Sequence, residues 1–112
     1  MIFMNYYKNG RLLAKAFIEG ETNGTIGREH HPGNLRIVGT QLFHYETPIL
    51  ERCDDGEFIL NVARYSRVTG VIQKWLKNET LNNIPFKEAH KVEIGYKGSL
   101  KDYVKHNSPQ GE

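Results

Sequence analysis

Cysteine is nearly absent: Cys53 stands alone among 112 residues, so no internal disulfide can form, and the thiolate pairs that hold structural zinc are excluded. A reducing, cytoplasmic setting is the expectation that follows. Long apolar runs are missing too, none approaching the roughly 18 residues that a bilayer-spanning helix requires, so no membrane contact is expected. The opening MIFMNYYKNG has no basic stretch leading into an apolar core, and no secretory signal is expected either. No internal repeat, heptad array or low-complexity tract occurs, and no Cys-x2-Cys or His-x3-His pair. What these absences leave is a small soluble domain that must hold together through its core.

An apolar fraction of 38% and a charged fraction of 25% suit one globular domain, with residues 1–106 folded and 107–112 a flexible tail. The charge is unevenly placed. Residues 1–63 carry six Lys and Arg against eight Asp and Glu, whereas residues 64–106 carry nine against four. A basic second half favours polyanions or an acidic partner protein.

Residues 41–77 carry the most consistent pattern. Two apolar strands joined at Asp54-Asp55-Gly56 lead into a helix over 66–77, where Val68, Val71, Ile72, Trp75 and Leu76 fall on one face. Ser66 is placed to cap that helix, Lys74 and Lys77 lie in its last turn, and Asn78 can supply a left-handed stop. Gly70 is its weak point, costing about 1 kcal/mol against alanine in a helix interior unless something packs closely there.

Upstream, residues 3–7, Asn9-Gly10 and residues 11–18 read as a β-hairpin on a type I′ turn, with Leu12, Ala14, Ala16 and Ile18 sharing a face. The helix formers of RLLAKAF keep a helix open as the alternative. Residues 19–33, with four glycines, read as a long loop. Residues 35–38 form a short strand turning at Gly39-Thr40, and residues 41–52 the return strand, interrupted by a bulge or an edge at Pro48. Residues 80–85 connect to a strand over 91–96 with Val92, Ile94 and Tyr96 on one face, and Ser99 with Asp102 opens a short helix. The expected class is therefore α+β: a small antiparallel sheet, hairpin plus meander, packed against one amphipathic helix, with a short C-terminal strand and helix.

Asn34-Leu35, Gly39, Leu42-Phe43-His44-Tyr45, Thr47-Pro48-Ile49, Asn61, Tyr65-Ser66, Thr69 and Gln73 together resemble a family of small uncharacterised proteins of bacteriophages and their bacterial hosts. Those proteins carry a Tyr-x-Thr-Pro-Ile strand and a Tyr-Ser-x-Thr-Thr-Ser helix start. The chain departs from the pattern at Val68, Gly70 and Ile72, where Thr, Ser and His are common. The resemblance implies a phage or mobile-element protein and no particular activity.

Chemistry is sparse. Glu29-His30-His31 is the densest set of catalytic residue types, but adjacent histidines point apart, and even with His44, Cys53 or His90 they make no converging ligand set; neither metal nor cofactor is expected. Cys53 beside Asp54 and Asp55 reads as a packing thiol, since negative neighbours raise its pKa. Asp54, Asp55 and Glu57 cluster as turn residues do, and residues 23–27 are too short for a phosphate loop. For binding, Arg64, Tyr65, Arg67, Lys74 and Lys77 gather around the helix, and Lys97, Lys101 and Lys105 recur at i, i+4, i+8 around Tyr96 and Tyr103. The function expected first is a non-enzymatic binding protein that engages a host protein or nucleoprotein, as an anti-defence inhibitor would. Nucleic-acid binding by the basic, aromatic second half is the alternative, and an enzyme using His30 or His31 the last. A free sheet edge leaves a homodimer open.

Overall fold

A computed structural model describes residues 5–28 and 31–104, and the fold is α+β. Its spine is one seven-stranded mixed sheet, larger than a hairpin and a meander. The strands are β1 (Tyr6–Tyr7), β2 (Asn23–Arg28), β3 (His31–Val38), β4 (Gln41–His44), β5 (Thr47–Arg52), β6 (Phe58–Asn61) and β7 (Phe86–Ala89), and they lie side by side in chain order. Strands β2 to β6 pair antiparallel, but β1 with β2 and β6 with β7 are parallel. A parallel neighbour needs a crossover. Two helices supply them: α1 (Gly10–Ile18) joins β1 to β2, and α2 (Arg67–Trp75) lies between β6 and β7.

The hairpin expected before residue 18 is thus replaced by the helical alternative. Asn9 is extended at φ −150° and its side chain accepts from the Leu12 amide, so Asn9-Gly10 is a helix cap and not a turn. Packing decides the matter: Leu13, Ala14 and Phe17 lie together on one helical face and are fully buried, whereas Leu12, which alternation would bury, is exposed.

The loop expected over 19–33 is overturned as well, because residues 23–28 and 31–38 pair as β2 and β3. Its glycines admit close neighbours and do not break the strands. A Cβ at Gly24 would stand 2.9 Å from the Tyr7 ring, and one at Gly33 would stand 2.3 Å from Ile26. Glu29 and His30 lie outside the described residues, and His31 enters as backbone of β3 only.

The chain turns at Gly39-Thr40 as expected, and only Gly39 has positive φ (64°), the sign pattern of a type II′ turn. The return strand is two strands. It breaks at Tyr45-Glu46, where Tyr45 takes φ 54°, and the slip in register beside Pro48 leaves Ile49 as the extra residue of a bulge.

Ser66 caps α2 as expected, accepting from the Thr69 amide at 3.2 Å. The buried face is rotated from the expected one: Trp75 and Leu76 are buried, but Val68 and Val71 are 60% and 58% exposed and Thr69 is buried in their place. The helix does not stop at Asn78. A π turn over Leu76–Thr80 prolongs it, and the left-handed residue is Asn83, φ 68°.

Residues 91–96 form no strand: positive φ at Lys91 (57°) and Gly95 (90°) prevents an extended run, and Val92 is buried while Ile94 is 87% exposed. The short helix after Ser99 is present as a 3-10 turn, Leu100–Tyr103, with fully buried Leu100. Lys105 and the tail 107–112 lie outside the described residues.

The core has two parts. Both helices contribute to the larger, in which Leu13, Phe17, Trp75 and Leu76 pack with Leu35, Ile37, Leu42, Leu50 and Leu60 of the sheet. Val92 and Leu100 close a smaller one on Ile59 and Ala89. Among the described residues no helix is long and apolar enough to cross a membrane.

A Cβ at Gly70 would meet nothing within 4 Å, so no packing compensates for glycine there. Gly70→Ala should raise unfolding free energy by about 0.5–1 kcal/mol, read as a higher denaturant midpoint at unchanged slope.

Candidate functional site

Fully buried Asn61, the last residue of β6, organises the ground around α2. Its Nδ2 donates to the Pro48 carbonyl and to the Tyr65 hydroxyl, both at 2.9 Å, and its Oδ1 accepts from the Ala63 amide at 2.9 Å. Its own carbonyl accepts from Gln73 Nε2 at 2.7 Å, and the same amide group donates to the Ala63 carbonyl at 2.9 Å. The Tyr65 hydroxyl in turn donates to the Val92 carbonyl at 2.7 Å. Burial holds that phenol's pKa above its ordinary value, which keeps the proton it donates.

A second buried pair joins β4 to α2. Thr69 Oγ1 lies 2.9 Å from His44 Nδ1 and 3.1 Å from Ser66 Oγ. Ser, Thr and His in a row invite comparison with a nucleophile and its base. Here the Thr69 hydroxyl stands between them and Ser66 Oγ is occupied in capping α2, so His44 does not reach Ser66, and the hydroxyl it does reach, that of Thr69, is only 5% exposed. His44 and Asn61 thus fix α2 to the sheet through Thr69 and Gln73.

Among the described residues, the basic side chains singled out in the sequence divide between ion-paired and unpaired ones. Lys77 is paired with Glu88 at 3.1 Å and Lys97 with Glu46 at 3.0 Å, where Lys97 and then Arg36 hold the Glu46 carboxyl below its usual pKa. Lys101 lines a separate cavity at Cys53. Tyr96 and Tyr103 pack edge to face at 4.7 Å; the Tyr96 hydroxyl shares its one proton between the Ser99 carbonyl and the Asp102 carboxylate, and the Tyr103 hydroxyl donates to Glu93. Burial and Asp102 push the Tyr96 phenol up to about 12. Arg64, Arg67 and Lys74 are left exposed, with no ion pair among the described residues.

Lys91, absent from the sequence-based set, shares that condition. With Arg64 it lines an open cleft of about 450 Å³ between residues 62–65 and 90–94, which Tyr65, His90, Val92, Glu93 and Ile94 also line. The nearby carboxylates are engaged: Glu93 accepts from the Tyr103 hydroxyl at 2.6 Å, and Glu88 faces Lys77 and His90. Only backbone geometry brings Lys91 here, and no spacing in the sequence signals it.

The Cys53 cavity, about 350 Å³, also contains Asp54, Asp55, Glu57 and Lys87. Burial first, and then Glu51, Asp55 and Glu57, push the Cys53 thiol up against the opposing charge of Lys101, so the thiolate a nucleophile needs is disfavoured. The Glu57 backbone amide keeps the Asp55 carboxyl low, the reverse of a poised general acid. Among the described residues no three His, Cys, Asp or Glu side chains are grouped to hold a metal ion.

No family model matches the chain, and comparisons with curated proteins and with solved structures return no match.

His44 is 3% exposed, and burial lowers its pKa below the ordinary 6.5. The unfolded chain then binds the proton more tightly than the native one, so this stability is complete above pH 6.5 and is lost as pH falls from there through the native value. Denaturant titrations at pH 7.5 and 5.5 should show wild type losing stability, with the loss reduced in His44→Gln.

Proposed function

We propose that the protein is a non-enzymatic binding module whose outward α2 face docks on an acidic surface of a partner protein. The observation that carries this reading is the make-up of that face. Val68 and Val71 stand exposed, Arg67 and Lys74 lie two turns apart on the same stripe with Val71 between them, and Arg64 precedes the cap. No Asp or Glu occurs from residue 58 to residue 78. Exposed aliphatic side chains ringed by unpaired cations suit an interface whose centre is apolar and whose rim selects for charge.

The resemblance to phage and host proteins is what suggests the identity of the partner. It favours a host protein or nucleoprotein, bound in a way that modulates it, with inhibition of a defence system as the function in view. Direct nucleic-acid binding draws on the same cations but has less support. The tyrosines that would stack on bases have their hydroxyls bonded within the fold, and two of them pack on each other.

The test is crosslinked affinity capture from a bacterial host lysate, comparing wild type with a Val68→Asp/Val71→Asp double variant. Both sites are exposed, so stability should change by less than about 1 kcal/mol in total. A specifically captured protein should fall at least about tenfold in the variant. Equal capture by a folded variant would contradict the assignment of this face.

A further inference from the structure

The unpaired cations do not all lie on the helix. Arg64 and Lys91 both line the cleft between residues 62–65 and 90–94, and its aliphatic lining includes half-buried Val62 and the almost fully buried Val92. Ile94 stands at the rim at 87% exposure, the most exposed large apolar side chain described. Lys91 holds φ 57°, a left-handed conformation that a side chain bearing Cβ adopts at a cost of roughly 1 kcal/mol or more, and strain of this kind concentrates at binding sites. Glu88 is engaged by Lys77, and Glu93, which lines the cleft, accepts from the Tyr103 hydroxyl and keeps its charge, so Arg64 and Lys91 against Glu93 leave the lining with an excess of one positive charge.

We infer that this cleft takes a short acidic peptide segment of the partner, with one aliphatic side chain on the Val62 and Val92 lining and its carboxylates beside Arg64 and Lys91. The inference rests on the proposed function and names the chemistry of the partner. Charge complementarity selects an anion, and the aliphatic lining with Ile94 at its edge selects one that carries an apolar group. A bare phosphate would leave that lining wet. A nucleic-acid strand would want an open aromatic face, and Tyr65, the cleft's aromatic residue, is anchored by its hydroxyl between Asn61 and Val92.

The experiment is fluorescence anisotropy of a dye-labelled peptide of Asp and Glu around a single Leu, at low ionic strength, against the full chain. Competitors are the same peptide with Leu→Ser and an oligothymidylate of equal charge. The acidic Leu peptide should bind, the Ser peptide should compete at least about threefold more weakly, and the oligonucleotide more weakly still. Arg64→Ala combined with Lys91→Gly should lower peptide affinity by about tenfold or more. Glycine suits the left-handed position, so that variant should keep the fold. Ile94→Ser, a change at the rim alone, should weaken binding severalfold. Absence of peptide binding, binding unaffected by the Arg64→Ala/Lys91→Gly variant, or an oligonucleotide that competes as well as the peptide would overturn the assignment. Because no native partner is needed, failure here with capture still dependent on Val68 and Val71 sinks the cleft alone; peptide binding with capture indifferent to the valines sinks the α2 reading alone.

Discussion

One buried side-chain amide determines how the second half of the chain is arranged. Asn61 closes β6 with a side chain that satisfies a carbonyl of β5, a backbone amide two residues on and a tyrosine hydroxyl, while its own carbonyl takes a bond from α2. A polar group so placed is tolerable only when each of its bonds is made, because an unmet donor or acceptor in a core costs about 1–3 kcal/mol. The requirement fixes the path of residues 62–66, the rotation of α2 about its axis and, through Tyr65, the height of the 90–96 segment. The surface of this region follows from that constraint.

The rotation explains why two valines face water. Were α2 seated by hydrophobicity alone, Val68 and Val71 would turn inward with Trp75. Thr69 and Gln73 turn inward instead, because buried His44 and the carbonyls of Asn61 and Ala63 need partners that valine cannot provide. The helix is then held at its far end by apolar contact, with Trp75 lying against Gly10 of α1 and carrying the Arg11 guanidinium 4.9 Å from its ring centre. Polar specificity at one end and apolar packing at the other leave the middle free to present side chains outward. A similar device holds the C-terminal segment, where the buried Glu51 carboxylate accepts from the Ser99 hydroxyl at 2.8 Å and from the Leu100 amide at 2.7 Å.

Local signals in the sequence were sufficient for the α+β class, the Ser66 cap, the glycine turns at residues 39 and 56 and the strands from 35 to 61. They failed where a non-local contact decided between two locally acceptable structures. Asn9-Gly10 fits a type I′ turn and a helix cap equally well, and burial of Leu13 and Phe17 against the sheet chose the cap. The glycines of residues 19–33 signal a loop, yet Gly24 and Gly33 lie where a Tyr7 ring and an Ile26 side chain leave no space for a Cβ. Within the candidate site, the cations of residues 64–77 were visible as a cluster, but that Lys77 is neutralised depends on Glu88, and that Lys97 is neutralised depends on Glu46, carboxylates that reach them only in three dimensions. Lys91 was invisible for the same reason. The purpose of the residues at the Asn61 joint emerges only from the bonds between them.

Amide hydrogen exchange on an Asn61→Leu variant probes this joint most directly, since leucine conserves volume and removes every side-chain bond at once. The expected result is a loss of protection at the amides of residues 63–73 and 90–96 together, with those of α1 and of β3 and β4 little changed. Retained protection around Val92, or loosening spread evenly over the whole sheet, would contradict the claim that one amide sets both walls of the site.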